Sequence, residues 1–109
     1  MSCIFCKIAN KEIKSGIVHE TDKVIAFDDI APQAPVHVVI IPKEHVLDIL
    51  GLNNVLAEIF KAVAQISKKK GIQDTGYRIV INSGKDAGPA VEHLHFHLLG
   101  GRALNWPPG

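Results

Sequence analysis

The 109-residue sequence predicts an α+β domain: a mainly antiparallel sheet carrying one long amphipathic helix. Three observations lead there. Short β-branched runs bounded by turn residues or prolines recur along the chain. One stretch between Asn53 and Lys70 has apolar residues at helical spacing. The segment His93-Leu94-His95-Phe96-His97-Leu98-Leu99 alternates imidazole with apolar side chains.

Residues 17–28, IVHETDKVIAFD, read as two short β runs on either side of Glu20-Thr21-Asp22-Lys23, which suits a hairpin. Pro32 and Pro35 remove amide donors, so Asp29 to Pro35 is expected as a loop. VHVVIIP is a β-branched strand that Pro42 ends. In the helix, Val55, Leu56, Ile59, Phe60, Val63 and Ile66 form the apolar face, and Glu58, Lys61, Gln65 and Lys68 fall between them. Gly71 is placed for the C-terminal cap, and the lysines before it suit the negative end of the helix dipole. YRIVIN and HLHFHLL are the remaining strands, joined by the loop from Ser83 to Gly88.

Length and a 47% apolar composition support one core, so a single domain spanning 1–109 is expected. Twelve basic against eleven acidic residues give no global field to attract a nucleic acid or an anionic membrane. The early polar residues of MSCIFCKIANKEIK argue against a secretory leader, no apolar run is long enough to span a bilayer, and a cytoplasmic location is expected. In that reducing setting Cys3 and Cys6 are expected as thiols or metal ligands rather than a disulfide.

In a strand alternate side chains share a face, so His93, His95 and His97 should line one side about 7 Å apart while Leu94, Phe96 and Leu98 point to the other. Two chemistries compete. A His-x-His pair with His37 could bind a catalytic zinc, or the imidazoles could handle a phosphate. The loop favours phosphate, because Gly84 and Gly88 let backbone amides turn toward an anion, which a metal site does not require.

The alternating segment matches the His-φ-His-φ-His-φ-φ signature of the histidine triad superfamily. FDDIAPQAPVHVVIIPKEH, GYRIVINSGKDAG and GGRALNWPPG resemble its Hint branch, the nucleoside phosphoramidases, and with the N-terminal run cover nearly the whole chain. The resemblance implies the HIT-like fold with a short N-terminal helix, a two-fold dimer and a purine nucleoside monophosphate-type ligand. It implies that His95 is a nucleophile forming a nucleotidyl-histidine, with His97 and His37 at the phosphate and assisting proton transfer; a neutral imidazole is competent for this when its other nitrogen is hydrogen-bonded. It places Asp29 at the ribose, Ile4, Phe5, Ile8, Phe27 and Ile30 around the base, and Asn82, Gly88, Ala90 and Val91 among the nucleotide contacts. Trp106, in the Trp-Pro-Pro tail, is placed in the partner's pocket. The chain departs from the family at Gly88-Pro89-Ala90, where relatives commonly carry Gly-Gln and a small polar residue.

Cys3-Ile4-Phe5-Cys6 alone fits free thiols or a metal pair. Beside Pro42-Lys43-Glu44-His45 and His93, it resembles the structural zinc set of bacterial histidine triad proteins, Cys3, Cys6, His45 and His93, with no metal at the reacting centre. His19 has no such company and is expected at the surface. The function expected is a hydrolase of nucleoside phosphoramidates or related nucleoside monophosphate esters and adenylates. The alternatives are a non-catalytic nucleotide sensor or interaction protein, and a catalytic zinc hydrolase.

Overall fold

The computed structural model describes residues 3–47, 55–88 and 91–109. The hairpin forms as β1 (Ile17–Glu20) and β2 (Val24–Asp28). Thr21 Oγ1 accepts from the amides of Lys23 and Val24, and its own amide donates to the Val24 carbonyl over 2.8 Å, so the turn is closed by one hydroxyl residue. Strand β3 (Val36–Pro42) follows the proline loop, and α2 (Val55–Lys69) follows in turn. The expected start of α2 at Asn53 lies outside the described residues. At its other end Gly71 has φ 72°, its amide donates to Lys68 and that of Ile72 to Ser67, which satisfies the last carbonyls as the lone glycine predicted.

Strands β4 (Tyr77–Ile81) and β5 (Phe96–Gly100) complete a five-stranded antiparallel sheet in the order β1-β2-β3-β5-β4. Placing β5 between β3 and β4 brings His97 opposite Val39 and beside the row that carries His37. The sheet has two covered faces. Val24, Ala26, Val38, Ile40, Phe96 and Leu98 pack beneath Ile59, Ala62, Val63 and Ile66 of α2. On the other face Ile25, Phe27, Val39 and Ile41 meet Ile8, Phe5 and Ala9 of a short helix, α1 (Ile4–Ala9). Lys11 and Lys43 both pair with Glu20, tying the chain just after α1 to β1 and to the end of β3.

HLHFHLL is not one continuous strand. Ladder pairing begins at Phe96, and His93 and His95 lie before it. Continuing the register would set Pro42 opposite Leu94, and proline has no amide to donate. The chain is held there by other bonds: Leu94 N–H donates to Val46, and His93 N–H to Val91. The alternation survives the break, since Leu94 is buried in the α2 core and the imidazoles lie on the α1 side. No helix among the described residues is long and apolar enough to cross a membrane.

Candidate functional site

Strand alternation puts His37 on the same face as Val39 and Ile41, and β5 brings His97 diagonally across from it. His37 Nε2 lies 2.8 Å from His97 Nδ1. The Gln33 backbone amide donates to His37 Nδ1 at 3.0 Å, and an amide can only donate, so the His37 proton sits on Nε2. That proton is given to His97 Nδ1, which leaves the proton of His97 on its own Nε2. Asp29 stands at 3.4 Å from His37 Nε2; its Oδ1 accepts from Ala31 and its amide donates to the His37 carbonyl.

Burial holds His37 below the usual imidazole range, against the opposing pull of the Asp29 carboxylate. His97 is pushed down to about 4, first by burial, then by the like charges that His95 and His37 would carry, with Asp29 opposing. Both rings are therefore neutral at neutral pH, and the 3.4 Å His37–Asp29 contact is not an ion pair there.

His95 is 6% exposed. Its Nδ1 donates to the His93 carbonyl at 2.8 Å, and a carbonyl can only accept, so its lone pair lies on Nε2. Edge-on contacts with Phe5 at 5.0 Å and His97 at 4.9 Å between ring centroids hold the ring in place, closer than the strand repeat predicted. Asp29, His37 and His97 form a group at ligand spacing, and His95 is not in it. The competing reading, a His-x-His zinc set with His37, does not form a group at that spacing among the described residues.

His93 belongs to a different cluster. Its Nε2 donates to the Pro42 carbonyl at 2.8 Å, which turns the Nδ1 lone pair toward Cys3 Sγ at 3.4 Å and Cys6 Sγ at 3.5 Å. His45 Nδ1 lies 3.2 Å from Cys6 Sγ. Zinc bond lengths of about 2.3 Å to sulfur and about 2.0 Å to nitrogen give a tetrahedral S···N edge of about 3.5 Å, so this donor set fits the ion. Burial, with Cys3 as a neighbour, pushes the Cys6 thiol up, and burial pushes His93 down. A bound cation would reverse the first and be helped by the second.

The other expected contacts divide. Phe5, Ile8 and Phe27 are packed in the α1 core, with Phe5 and Phe27 rings 5.7 Å apart, and the Phe5 ring also touches the imidazoles. Ile4 and Val91 share the lining of a cavity of about 450 Å³ with Cys3, His45 and Leu47, on the side of the cysteine–histidine cluster. Asn82 follows β4, half-buried, while Ile30 is 98% exposed on the proline loop. Ala90, with Pro89, lies outside the described residues. In the glycine loop Gly84 and Gly88 have φ of 84° and 99°, as expected, but they flank a single 3₁₀ turn (Lys85–Ala87). The amides of Ala87 and Gly88 donate within that turn, each over 3.2 Å. Trp106 is 79% exposed, with the Arg78 guanidinium of its own chain 5.8 Å from the ring. The sequence reading missed Gln33 and Pro42, whose roles are carried by backbone groups that any residue, or any carbonyl, supplies.

An antiparallel α+β domain with three imidazoles gathered on the face opposite its long helix is the class of protein that fold and site define. The chain belongs to the HIT family: the HIT domain profile matches residues 10–104. A 14 kDa zinc-binding protein of Zea mays is 46% identical over 118 residues, covering 97% of this chain and 87% of that protein. Adenylylsulfatase HINT1 of Arabidopsis thaliana is also 46% identical over 118 residues, covering 97% of this chain and 76% of the relative. The crystal structure of a HIT family hydrolase from Legionella pneumophila superposes with a TM-score of 0.93 at 44% identity, covering 99% of this chain and 100% of that one.

Proposed function

We propose that the chain is a nucleotide hydrolase that opens a phosphorus–nitrogen or related bond of a nucleoside monophosphate derivative, with His95 as the attacking group. The observation that carries this is the His95–His93 hydrogen bond, which commits Nδ1 as the donor and leaves Nε2 as the nitrogen available for attack. Relatives named as an adenylylsulfatase and a HIT family hydrolase support the reaction class.

Nε2 of His95 forms a bond to the α-phosphorus, and the phosphorus–nitrogen bond breaks with its electron pair passing to the leaving nitrogen, which takes a proton from solvent. The positive charge gained by the ring is stabilised through Nδ1–H against the His93 carbonyl. Water then attacks phosphorus, gives its proton to solvent and returns His95 free. His97, with its proton on Nε2, donates to a phosphate oxygen, and His37 holds that tautomer. Asp29 accepts from the ribose hydroxyls. Cys3, Cys6, His45 and His93 would hold a structural zinc, which would supply a cross-link between α1 and the two segments before β5 and after β3. A two-fold homodimer, with Trp106 reaching the partner's site, belongs to the same reading; sedimentation at micromolar concentration should give the two-chain species.

Steady-state hydrolysis of adenosine and guanosine phosphoramidates, compared with adenylyl sulfate and dinucleoside polyphosphates, tests the function. Turnover of at least one nucleoside monophosphate derivative that His95→Ala lacks supports it. Nucleotide binding without turnover on all of them would instead identify a sensor.

A further inference from the structure

We propose that the Cys3, Cys6, His45 and His93 cluster is the positioning device for His95, so that metal occupancy there sets the orientation of the nucleophile's ring. The proposal rests on the reading of His95 as nucleophile given above.

His93 has its two roles in different parts of the residue. Its ring is fully buried and both nitrogens are committed, Nε2 to the Pro42 carbonyl and Nδ1 toward the two sulfurs. Its carbonyl is the acceptor that fixes the His95 tautomer. A shift of the His93 ring therefore moves the group that aims His95.

A second path runs through α1. Cys3 caps this helix, accepting from the Cys6 amide at 3.4 Å, and Phe5 sits between the two cysteines in the chain. The Phe5 ring lies edge-on to His93 at 5.9 Å and to His95 at 5.0 Å. Drawing the cysteines to a cation seats the wall against which His95 rests. On the far side, Leu94 N–H donates to Val46, coupling the segment of His45 to that of His93.

The coupling matters because His93 and His95 lie before the β5 ladder begins. Sheet hydrogen bonds lock His97 and His37, whereas the His93–His95 stretch is held by a few bonds of its own. Thiol contacts are weak hydrogen bonds, and metal coordination is far stronger. Occupancy should thus alter His95 while leaving His37, His97 and Asp29 in place. The kinetic signature is a fall in kcat with KM little changed, on the order of tenfold, as for loss of groups that orient a catalytic ligand.

The test uses full-length protein labelled with ¹⁵N in histidine, at one fixed pH, in zinc-loaded, cadmium-loaded and chelator-stripped forms. Imidazole nitrogen shifts report tautomer and ring environment directly. The expected result is a single Nδ1–H form of His95 in the zinc protein and altered or averaged His95 shifts in the stripped protein, with the His37 and His97 pattern retained. Cadmium, with longer bonds to sulfur, should move the His95 signals without unfolding the chain, which covers the case where stripping unfolds it. Failure to bind either metal, or identical His95 signals in the zinc and cadmium proteins, would overturn the proposal. If His95 responds to metal but no nucleoside monophosphate derivative is hydrolysed, the functional reading fails and the positioning stands.

Discussion

His37 gives its Nε2 proton to His97 Nδ1 across 2.8 Å, and the Gln33 amide decides which ring owns it. Replacing His37 by Ala leaves that amide and the His97 nitrogen without partners. The cost should be about 1–2 kcal/mol in denaturant unfolding. Because His97 is then free to place its proton on either nitrogen, KM for a nucleoside phosphoramidate should rise severalfold.

The same pair sets a pH dependence. His97 is lowered to about 4 and His37 is also lowered, from an ordinary value of 6.5. Below 6.5 the unfolded chain binds protons that the folded chain refuses, so stability rises with pH in this range. The contribution is fully present above 6.5 and is lost progressively as pH falls toward about 4. Urea midpoints between these limits should decline, and His97→Asn should flatten the decline.

His95→Ala removes the proposed nucleophile without touching the core beneath α2. Turnover should drop by on the order of 10⁶-fold, the scale seen when an attacking group is deleted. Unfolding free energy should change by no more than about 2 kcal/mol, mainly from the His93 carbonyl left without its donor. Near-normal turnover, or a nucleotidyl adduct mapped to His37 or His97, would assign the attack elsewhere.

Gly101 has φ 89°, and a Cβ there would stand 2.9 Å from Pro35 Cβ. Arg102, the next residue, donates to the Gln33 carbonyl, so the end of β5 braces the loop that carries Asp29 and Gln33. Gly101→Ala should cost about 1–2 kcal/mol for the backbone conformation alone. It should also raise KM by displacing that loop, read as a thermal shift together with substrate saturation.

Several parts of this protein are written locally. The hairpin, the amphipathic helix with its Gly71 stop, and the alternation of imidazoles with Leu94, Phe96 and Leu98 follow from periodicity and turn chemistry, which involve residues only a few positions apart. That alternation already separates a chemical face from an apolar one. The likeness of the Cys3-Cys6 pair with His45 and His93 to a known ligand set pointed to a second cluster. What only tertiary structure decided is which nitrogen each imidazole offers, since the deciding groups are the Gln33 amide, the His93 carbonyl and the Pro42 carbonyl. It also decided that β5 lies between β3 and β4, that its ladder stops at Phe96 where Pro42 has no donor, and that His93 turns away from His95 and His97 toward the cysteines. Hydrogen-bond direction and ligand convergence depend on the register between segments up to 90 residues apart, and a local pattern carries no record of that register.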